Sequence, residues 1–247
     1  MLNELNEYAN EGDVVISRRA VKSLGVIALR LKEVTRALLK NLSEFFKSNK
    51  PHLVNESVVA FQTVLRKFPK EFNEIKDCLV QGQPNINEPD SVCAFVWLLG
   101  TFGELIPEAP YVIESLMGDQ EEFAKHHHTV KEMLLTGSVM LFVKRPPEMQ
   151  KLLSTVFGYI FNNEHTLLDL NDRAAFYYRA LQSSVEDVKK GFTEIKTEMS
   201  TFRWERIEER NEDNFNSLCL VYRKPENKFT KPYEYFYAMR KKELSGD

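Results

Sequence analysis

Apolar residues recur at steps of three or four between Ser91 and Pro107, which predicts one amphipathic helix near the middle of the chain. The stripe consists of Val92, Phe95, Val96, Leu99, Phe102 and Ile106. Trp97 and Leu105 widen this stripe until most of the helix circumference is apolar. Asp90 or Ser91 is predicted to cap the start of the helix, and Pro107 to end it. Because so apolar a helix needs neighbours on two sides, it belongs in the inner layer of a stack.

The same plan occurs three times along the chain. The segments from His52 to Pro69 and from Thr129 to Pro146 also have a polar start, which lies near Asn55 in the first of them, followed by an apolar helix and a proline. The three prolines at 69, 107 and 146 are separated by 38 and 39 residues (107−69 and 146−107). A period of about 40 residues with two helices per unit is typical of HEAT and armadillo repeats. The sequence therefore predicts an all-α fold, an α-solenoid of HEAT/armadillo-like helix pairs.

Extending this period in both directions gives five units, each with an inner helix followed by a partner helix. The predicted inner helices are Val14–Leu31, His52–Pro69, Ser91–Pro107, Thr129–Pro146 and Leu170–Leu181. Asn171 or Asp172 is predicted to cap the last of these helices. Gly25 lies inside the first inner helix, where glycine costs ~1 kcal/mol relative to alanine. A close crossing with a neighbouring helix would explain a glycine at this position.

The pattern loosens after residue 183, which suggests a domain boundary. We expect the solenoid to occupy residues 1–190, with about five helix pairs, and a C-terminal cap and tail to occupy residues 191–247. Residues 1–10 resemble the end of an earlier unit, so we expect the array to be truncated on its N-terminal side. A true terminal repeat would show a polar outer face.

The amino-acid composition restricts the classes of function that the chain can have. Hydrophobic residues make up 43% of the chain and charged residues 28%, which is typical of an ordered protein. The net charge of −3 gives no reason to expect a nucleic-acid partner. Cys78, Cys93 and Cys219 are odd in number and form no CxxC pair, which suggests free thiols in a reducing compartment. No apolar run reaches membrane-spanning length, and the acidic start of the chain does not resemble a signal peptide.

No pattern in the chain indicates catalysis, so we expect no catalytic residue, no cofactor and no metal site. His126, His127 and His128 are adjacent and would point in three directions from a helix, so we expect a loop or a helix start rather than a metal site. Glu104 is expected to be a surface or inter-helix contact. Arg173 and Arg179 flank a Phe-Tyr-Tyr stripe and are expected to form ion pairs beside packed rings. No phosphate-binding loop or GxSxG motif is present.

The C-terminal end of the chain is basic and rich in aromatic residues. The candidate contacts with a partner or an anionic membrane are Lys224, Lys228, Arg240, Lys241 and Lys242. Glutamates between these basic residues reduce the net positive charge of the segment, which favours a solvated tail instead. A second hypothesis is that Phe229 to Arg240 docks on a neighbouring subunit.

Several longer strings carry a family resemblance. They are RRAVKSLGVIAL, AFVWLLGTFGELIPEAPYVIESL, MLLTGSVMLFVKRPPEMQKLL, DRAAFYYRAL and FNSLCLVYRKP. In order and spacing they resemble the C-terminal half of the trunk of a beta-adaptin, the large beta subunit of an adaptor protein complex. The strings IPEAPYVIES and FYYRAL resemble most closely the beta subunit of the fourth adaptor complex. The resemblance covers residues 2 to about 225, and it is poor over residues 193–214 and after residue 224.

The resemblance implies a non-enzymatic scaffold subunit of a heterotetrameric coat in vesicle-mediated protein transport. It implies medium, small and second large adaptin subunits as partners, indirect links to membrane and cargo, and no nucleic acid. The medium subunit would be gripped along this half of the trunk. The expected location is cytoplasmic, on the cytosolic face of trans-Golgi or endosomal membranes. Two alternatives remain open at this point: another helical-repeat transport scaffold, such as a COPI coat subunit or a nuclear transport receptor, and an enzyme with a helical accessory domain.

Overall fold

The structure, a computed structural model, describes residues 2–81, 86–162 and 167–194. In these ranges the regular structure is helical throughout, with no strand, which confirms the all-α prediction. The α-helices are α1 (Leu2–Asn10), α2 (Val14–Arg30), α3 (Thr35–Phe46), α4 (Pro51–Lys67), α5 (Lys76–Gln81), α6 (Pro89–Phe102), α7 (Ala109–Met117), α8 (Gln120–Lys125), α9 (His128–Lys144), α10 (Pro146–Phe161), α11 (Leu168–Ser183) and α12 (Val185–Glu194). Short 3₁₀ helices occupy Lys32–Val34 and Pro69–Glu74.

Five helices form a continuous inner layer, in which α2, α4, α6, α9 and α11 pack one against the next. The remaining helices pack on this layer; α3 contacts α2 and α4, and α10 contacts α9 and α11. The predicted stack of helix pairs is therefore confirmed. One hydrophobic core runs along it, from Ala9 at the first helix to Ala174 on α11. Fully burying a leucine or phenylalanine in such a layer contributes about 1.5–3 kcal/mol, so the layer is the main source of stability.

Glycines allow neighbouring inner helices to approach closely. A Cβ built on Gly25 of α2 would lie 3.1 Å from the Cβ of Ala60 on α4, which confirms the close crossing expected at this glycine. At the crossing of α6 and α9 two glycines face each other. A Cβ on Gly100 would lie 3.2 Å from the Cα of Gly137, and a Cβ on Gly137 would lie 2.5 Å from Val96 Cγ1. The α6–α9 crossing therefore has no room for a side chain at Gly137 and little room for one at Gly100.

Basic residues join the C-terminal ends of neighbouring inner helices. Lys67, at the end of α4, donates to the Leu29 carbonyl of α2 at 2.7 Å. Lys144, at the end of α9, donates to the carbonyls of Gly100, at 3.0 Å, and Thr101 in α6. Carbonyls in the last turn of a helix have no partner within the helix and carry partial negative charge, so a cation from the next unit stabilises them.

The predicted role of the prolines requires correction. Pro69 is the first residue of a 3₁₀ helix and Pro146 is the first residue of α10, so each of them also begins the next element. Pro107 does not end the central helix, because α6 stops at Phe102. Gly103 follows, where a Cβ would lie 2.2 Å from Leu141 Cδ1 of α9. The predicted inner helix was therefore too long at its C-terminal end.

The predicted caps are also wrong. Asn55 lies inside α4 and is buried, because α4 begins at Pro51. Its side-chain Oδ1 accepts from the Asn87 backbone N–H at 3.3 Å, and its carbonyl accepts from the Ser91 hydroxyl at 3.1 Å. Ser91 is consequently buried inside α6, whose N-cap residue is Glu88 rather than Asp90 or Ser91. These polar residues tie α4 to the start of α6 instead of capping helices.

Two further local predictions were wrong. The α11 helix begins at Leu168 after Leu167, so Asn171 and Asp172 lie within it and do not cap it. Leu105 was assigned to the apolar stripe of the central helix but is 46% exposed, because the helix has already ended there. Leu31, the predicted last position of the first stripe, is likewise exposed beyond the end of α2.

Candidate partner-binding surface

The inner layer presents one partly exposed stripe of side chains, which we call the inner surface. Its members are half-buried and recur at steps of three or four along each helix. They are Glu56, Val59 and Thr63 on α4, Cys93 and Trp97 on α6, and Thr129, Met133, Thr136 and Met140 on α9. Because successive residues of a helix are about 100° apart, Cys93 and Trp97 lie opposite the buried Phe95 and Leu99. The inner surface therefore lies on a side of the layer that the described helices leave partly exposed.

Charged residues on this surface connect neighbouring helices. Arg18 of α2 donates to both carboxylate oxygens of Glu88, one of them at 3.0 Å, and its Nη1 lies 3.8 Å from Glu56 Oε1. The hydrogen bonds that Arg18 donates to Glu88 raise the pKa of Arg18, and burial raises the pKa of Glu56. Arg18 thus links α2, α4 and the start of α6, and its charge is compensated.

A second ion pair links α9 to α11. Arg173 Nη2 lies 3.4 Å from Glu132 Oε2, so the predicted ion pair of Arg173 is confirmed. Arg179 is exposed and makes no ion pair with any residue that the structure describes, so the same prediction is wrong for Arg179. On the other side of α9, Lys144 donates to the Gly100 carbonyl of α6 at 3.0 Å. Burial raises the pKa of the Cys93 thiol on α6. The two helices on either side of α9 are thus each joined to it by polar side chains.

Arg66 is exposed and extends the inner surface on α4, three residues after Thr63, where it forms a cation–π pair with the half-buried Trp97. The Arg66 guanidinium lies 4.9 Å from the centre of the Trp97 ring. Trp97 meets Phe102 edge-on at 6.2 Å, and Phe102 stacks on Phe72 at 4.2 Å. Burial lowers the pKa of Arg66. The indole is therefore held by a row of aromatic rings that continues into the core.

The Phe-Tyr-Tyr stripe on α11 packs only in part. Tyr178 meets Phe157 of α10 edge-on at 5.7 Å, as expected of a packed ring. Phe176, however, is 67% exposed, so the predicted packing is wrong for it. It lies at the rim of a cavity of about 500 Å³ between α11 and α12, which Tyr177 and Phe192 also line. This apolar cavity is a second candidate contact, separate from the inner surface.

The structure also shows where the other residues noted in the sequence lie, namely the three adjacent histidines, Glu104 and Cys78. The helix start predicted at the histidines is confirmed, because α9 begins at His128, with His127 as its N-cap residue. His126 Nε2 lies 2.9 Å from the Leu116 carbonyl oxygen. Glu104 is exposed, and Cys78 is buried. The part of the chain that the structure describes contains no cluster of three or more His, Cys, Asp or Glu residues able to hold a metal ion.

The five basic candidates of the C-terminal end lie outside the described residues, so their role stays a prediction. These are Lys224, Lys228, Arg240, Lys241 and Lys242. Cys219 and the segment from Phe229 to Arg240 also lie outside the described ranges. Among the helices that are described, none is both long and apolar enough to cross a lipid bilayer.

Sequence reasoning missed the Arg66–Trp97 pair and the glycine contact between α6 and α9. A signal for the glycines exists, because Gly100 and Gly137 are 37 residues apart, which is one repeat. No comparable signal exists for Arg66 and Trp97, since their contact depends on the packing of α4 against α6.

A continuous inner layer of helices with an uncovered polar and aromatic stripe defines a helical-repeat scaffold. Residues 1–185 match the adaptin N terminal region family, so the chain belongs to that family. It is 35% identical to beta-adaptin-like protein A of Arabidopsis thaliana, over 93% of this chain and 27% of the relative. It is 28% identical to the AP-1 complex subunit beta of Dictyostelium discoideum, over 93% of this chain and 24% of that protein.

A third relative is the AP-2 complex subunit beta of Schizosaccharomyces pombe, which is 25% identical over 96% of this chain and 35% of its own length. The match to beta-adaptins confirms the family resemblance seen in the sequence. The chain spans between about a quarter and a third of the length of these relatives.

Proposed function

We propose that this chain is a scaffold segment of a beta-type large subunit in a heterotetrameric adaptor coat complex, with a non-enzymatic role in vesicle-mediated protein transport. Membership of the adaptin N terminal region family and similarity to beta-adaptins support this proposal. The family match also favours an adaptor over the two other scaffolds considered, a COPI coat subunit and a nuclear transport receptor.

The observation that carries the proposal is the inner surface. It offers tryptophan, methionine and arginine side chains, which are enriched at the centres of protein interfaces. It extends across α4, α6 and α9, so a partner lying along it would bury an interface of standard size or more, about 1,600 Å². A surface of this length and composition fits a protein partner better than a small substrate, which requires a concave pocket.

The proposed partners are the medium, small and second large adaptin subunits, with the medium subunit lying along the inner surface. We further propose that the chain corresponds to the C-terminal half of a beta trunk and is closest to the beta subunit of the fourth adaptor complex. In this proposal residues 1–190 are the solenoid and residues 191–247 are its cap and tail. The complex would act on the cytosolic face of trans-Golgi or endosomal membranes.

Two threonines provide a matched test of this proposal. Thr136 lies on the inner surface, and Thr155 lies on the outward side of α10; both are half-buried. Each hydroxyl donates to the carbonyl four residues earlier, Thr136 to Glu132 at 2.8 Å and Thr155 to Lys151 at 3.1 Å. Thr136→Arg and Thr155→Arg therefore make the same local change, one on an inner helix and the other on its partner helix.

The protein is co-expressed with the three other adaptin subunits and captured through a tag on the medium subunit. We expect Thr136→Arg to reduce recovery of this chain strongly and Thr155→Arg to leave it unchanged. Failure of the unsubstituted chain to co-purify with any medium subunit would contradict the proposal, as would capture of coatomer subunits or a Ran-type GTPase instead. Repeating the capture with the medium subunits of the first, second and fourth complexes tests the finer assignment.

The tail proposal is tested separately. If Lys224, Lys228, Arg240, Lys241 or Lys242 contacts a partner subunit, removal of residues 225–247 together with Lys224→Ala should weaken co-purification. Unchanged recovery, with unchanged binding to vesicles that contain phosphatidylserine, would contradict a role for this segment in either contact.

A further inference from the structure

Arg66 is a cation of the inner surface whose charge is not compensated by any described residue. Arg18 and Arg173 each face a carboxylate of a neighbouring helix. Arg66, in contrast, has no hydrogen bond or ion pair to any residue that the structure describes, and its partner is the Trp97 ring alone. A guanidinium has five N–H donors in a planar fork, so Arg66 keeps its full donor capacity for a group outside this chain.

The neighbouring cations do not share this property. Lys67, the next residue of α4, donates to the Leu29 carbonyl at 2.7 Å, and Lys144 of α9 donates to the Gly100 carbonyl at 3.0 Å. These two lysines hold helix ends together, which leaves Arg66 as the donor at this end of the inner surface. Burial lowers the pKa of Arg66, and no carboxylate raises it.

Trp97 makes the site rigid. Its ring lies under the guanidinium and edge-on to Phe102, which stacks on the buried Phe72. A rigid indole beside an arginine is the composition of an interface hot spot. An incoming side chain would place its methylene groups on the indole and its charged end on the guanidinium.

We propose that Arg66 and Trp97 form a docking anchor for an acidic side chain of the medium adaptin subunit, an inference that rests on the proposed function. The guanidinium fork matches a carboxylate in bidentate geometry, and Trp97 packs against the aliphatic stem of the aspartate or glutamate. Charge complementarity identifies the occupant as an acidic side chain, since no carboxylate among the described residues faces Arg66, and the proposed function assigns that side chain to the medium subunit. The anchor sets where along α4 and α6 the partner crosses the inner surface.

The first experiment measures affinity in the four-subunit complex. Arg66→Glu is expected to raise the dissociation constant for the medium subunit by about tenfold or more, and Arg66→Lys by less, because lysine keeps the charge and loses the fork. Arg30→Glu is the matched control, since Arg30 is an exposed arginine in the last turn of the preceding inner helix. We expect no change from Arg30→Glu. Thermal unfolding of each variant shows whether the fold is retained.

The second experiment identifies the contact directly. A photo-reactive benzoylphenylalanine replaces Arg66 in the assembled complex, and the cross-linked peptide is sequenced by mass spectrometry. We expect the cross-linked peptide to come from the medium subunit and to contain an aspartate or glutamate. Replacing that acidic residue of the medium subunit with arginine should then restore the affinity that is lost in Arg66→Glu. A cross-link to a different subunit, or a peptide without an acidic residue, would overturn the proposal.

The outcomes separate this inference from the proposed function. If the complex assembles but Arg66→Glu behaves like Arg30→Glu, the anchor is wrong and the scaffold function stands. If Arg66→Glu lowers binding to phosphatidylserine vesicles while subunit affinity is unchanged, the site binds a lipid headgroup and the proposal is overturned. If the unsubstituted chain does not assemble, the proposed function itself fails.

Discussion

Replacing Gly137 with alanine should destabilise the protein, although alanine is the better helix former. A Cβ at this position would lie 2.5 Å from Val96 Cγ1 and 3.2 Å from the Val96 carbonyl oxygen, against the 3.4 Å at which ordinary contact begins. Val96 is buried and β-branched, so its side chain has little freedom to turn away. The α6 and α9 helices must therefore separate at the crossing.

The size of the effect follows from two opposing contributions. Overpacking of a well-packed core costs about 1–3 kcal/mol. The gain in helix propensity from glycine to alanine is about 1 kcal/mol. We expect a net loss of up to about 2 kcal/mol in the free energy of unfolding for Gly137→Ala.

Gly158 of α10 provides the matched control. It also lies inside a helix, but the nearest atom to a Cβ there is Asn162 Nδ2 at 4.0 Å. With nothing to displace, Gly158→Ala should gain about 0.5–1 kcal/mol. Urea unfolding followed by circular dichroism measures both variants against the unsubstituted protein. The reasoning is refuted if Gly137→Ala unfolds at the same or a higher urea concentration than Gly158→Ala.

Three other predictions concern single side chains. Asn55→Ala removes the side-chain acceptor of the Asn87 N–H, which is exposed enough for water to replace it, so the free energy of unfolding should fall by about 0.5–1.5 kcal/mol in the same urea assay. An unchanged midpoint would contradict the link between α4 and α6. Burial raises the pKa of the Cys78 thiol from 9.0 to about 12. The contribution of the neutral thiol to the stability of the folded state is therefore complete below pH 9 and is lost as the pH rises toward 12. Between about pH 8 and about pH 10 the free energy of unfolding of the unsubstituted protein should fall by about 1 kcal/mol more than that of Cys78→Ala. Equal falls in the two proteins would contradict this prediction. Arg145 donates to the carbonyls of Gly103, Ile106 and Pro107, so Arg145→Ala should speed amide hydrogen exchange of residues 103–106, measured by mass spectrometry, while exchange in α2 stays unchanged.

The repeat and the fold could be predicted from the sequence because each inner helix must bury several sides. The stripe of Val92, Phe95 and Leu99 recurs one period earlier and later, and the resulting stack is the one observed. Helices do end just before Pro69 and Pro146, as predicted, but the prediction for Pro107 was wrong because α6 already ends at Phe102. Proline also suits the first turn of a helix, as at Pro51, Pro89 and Pro146, so a proline alone does not distinguish a helix end from a helix start.

Polar residues inside the stack were not predictable in the same way. Asn55 looks like a cap in sequence, but its partners come from the next repeat, where Asn87 and Ser91 satisfy it. The short helix α8 was missed although its signal is readable, since Asp119 and Glu122 form a capping box. The Arg66–Trp97 pair has no local signal, because the cation and the ring belong to different repeats.

The inner surface as a partner-binding surface is tested most directly by side-chain oxidation with hydroxyl radicals, followed by mass spectrometry, on this chain alone and in complex with the medium adaptin subunit. Methionine is readily oxidised, which makes Met133 and Met140 sensitive reporters beside Trp97. Tyr111 on α7 is 69% exposed and serves as the internal reference away from this surface. We predict that the complex protects Trp97, Met133 and Met140 from oxidation and leaves Tyr111 unchanged. Equal oxidation of these three residues in the free chain and in the complex would contradict the proposed role of the inner surface.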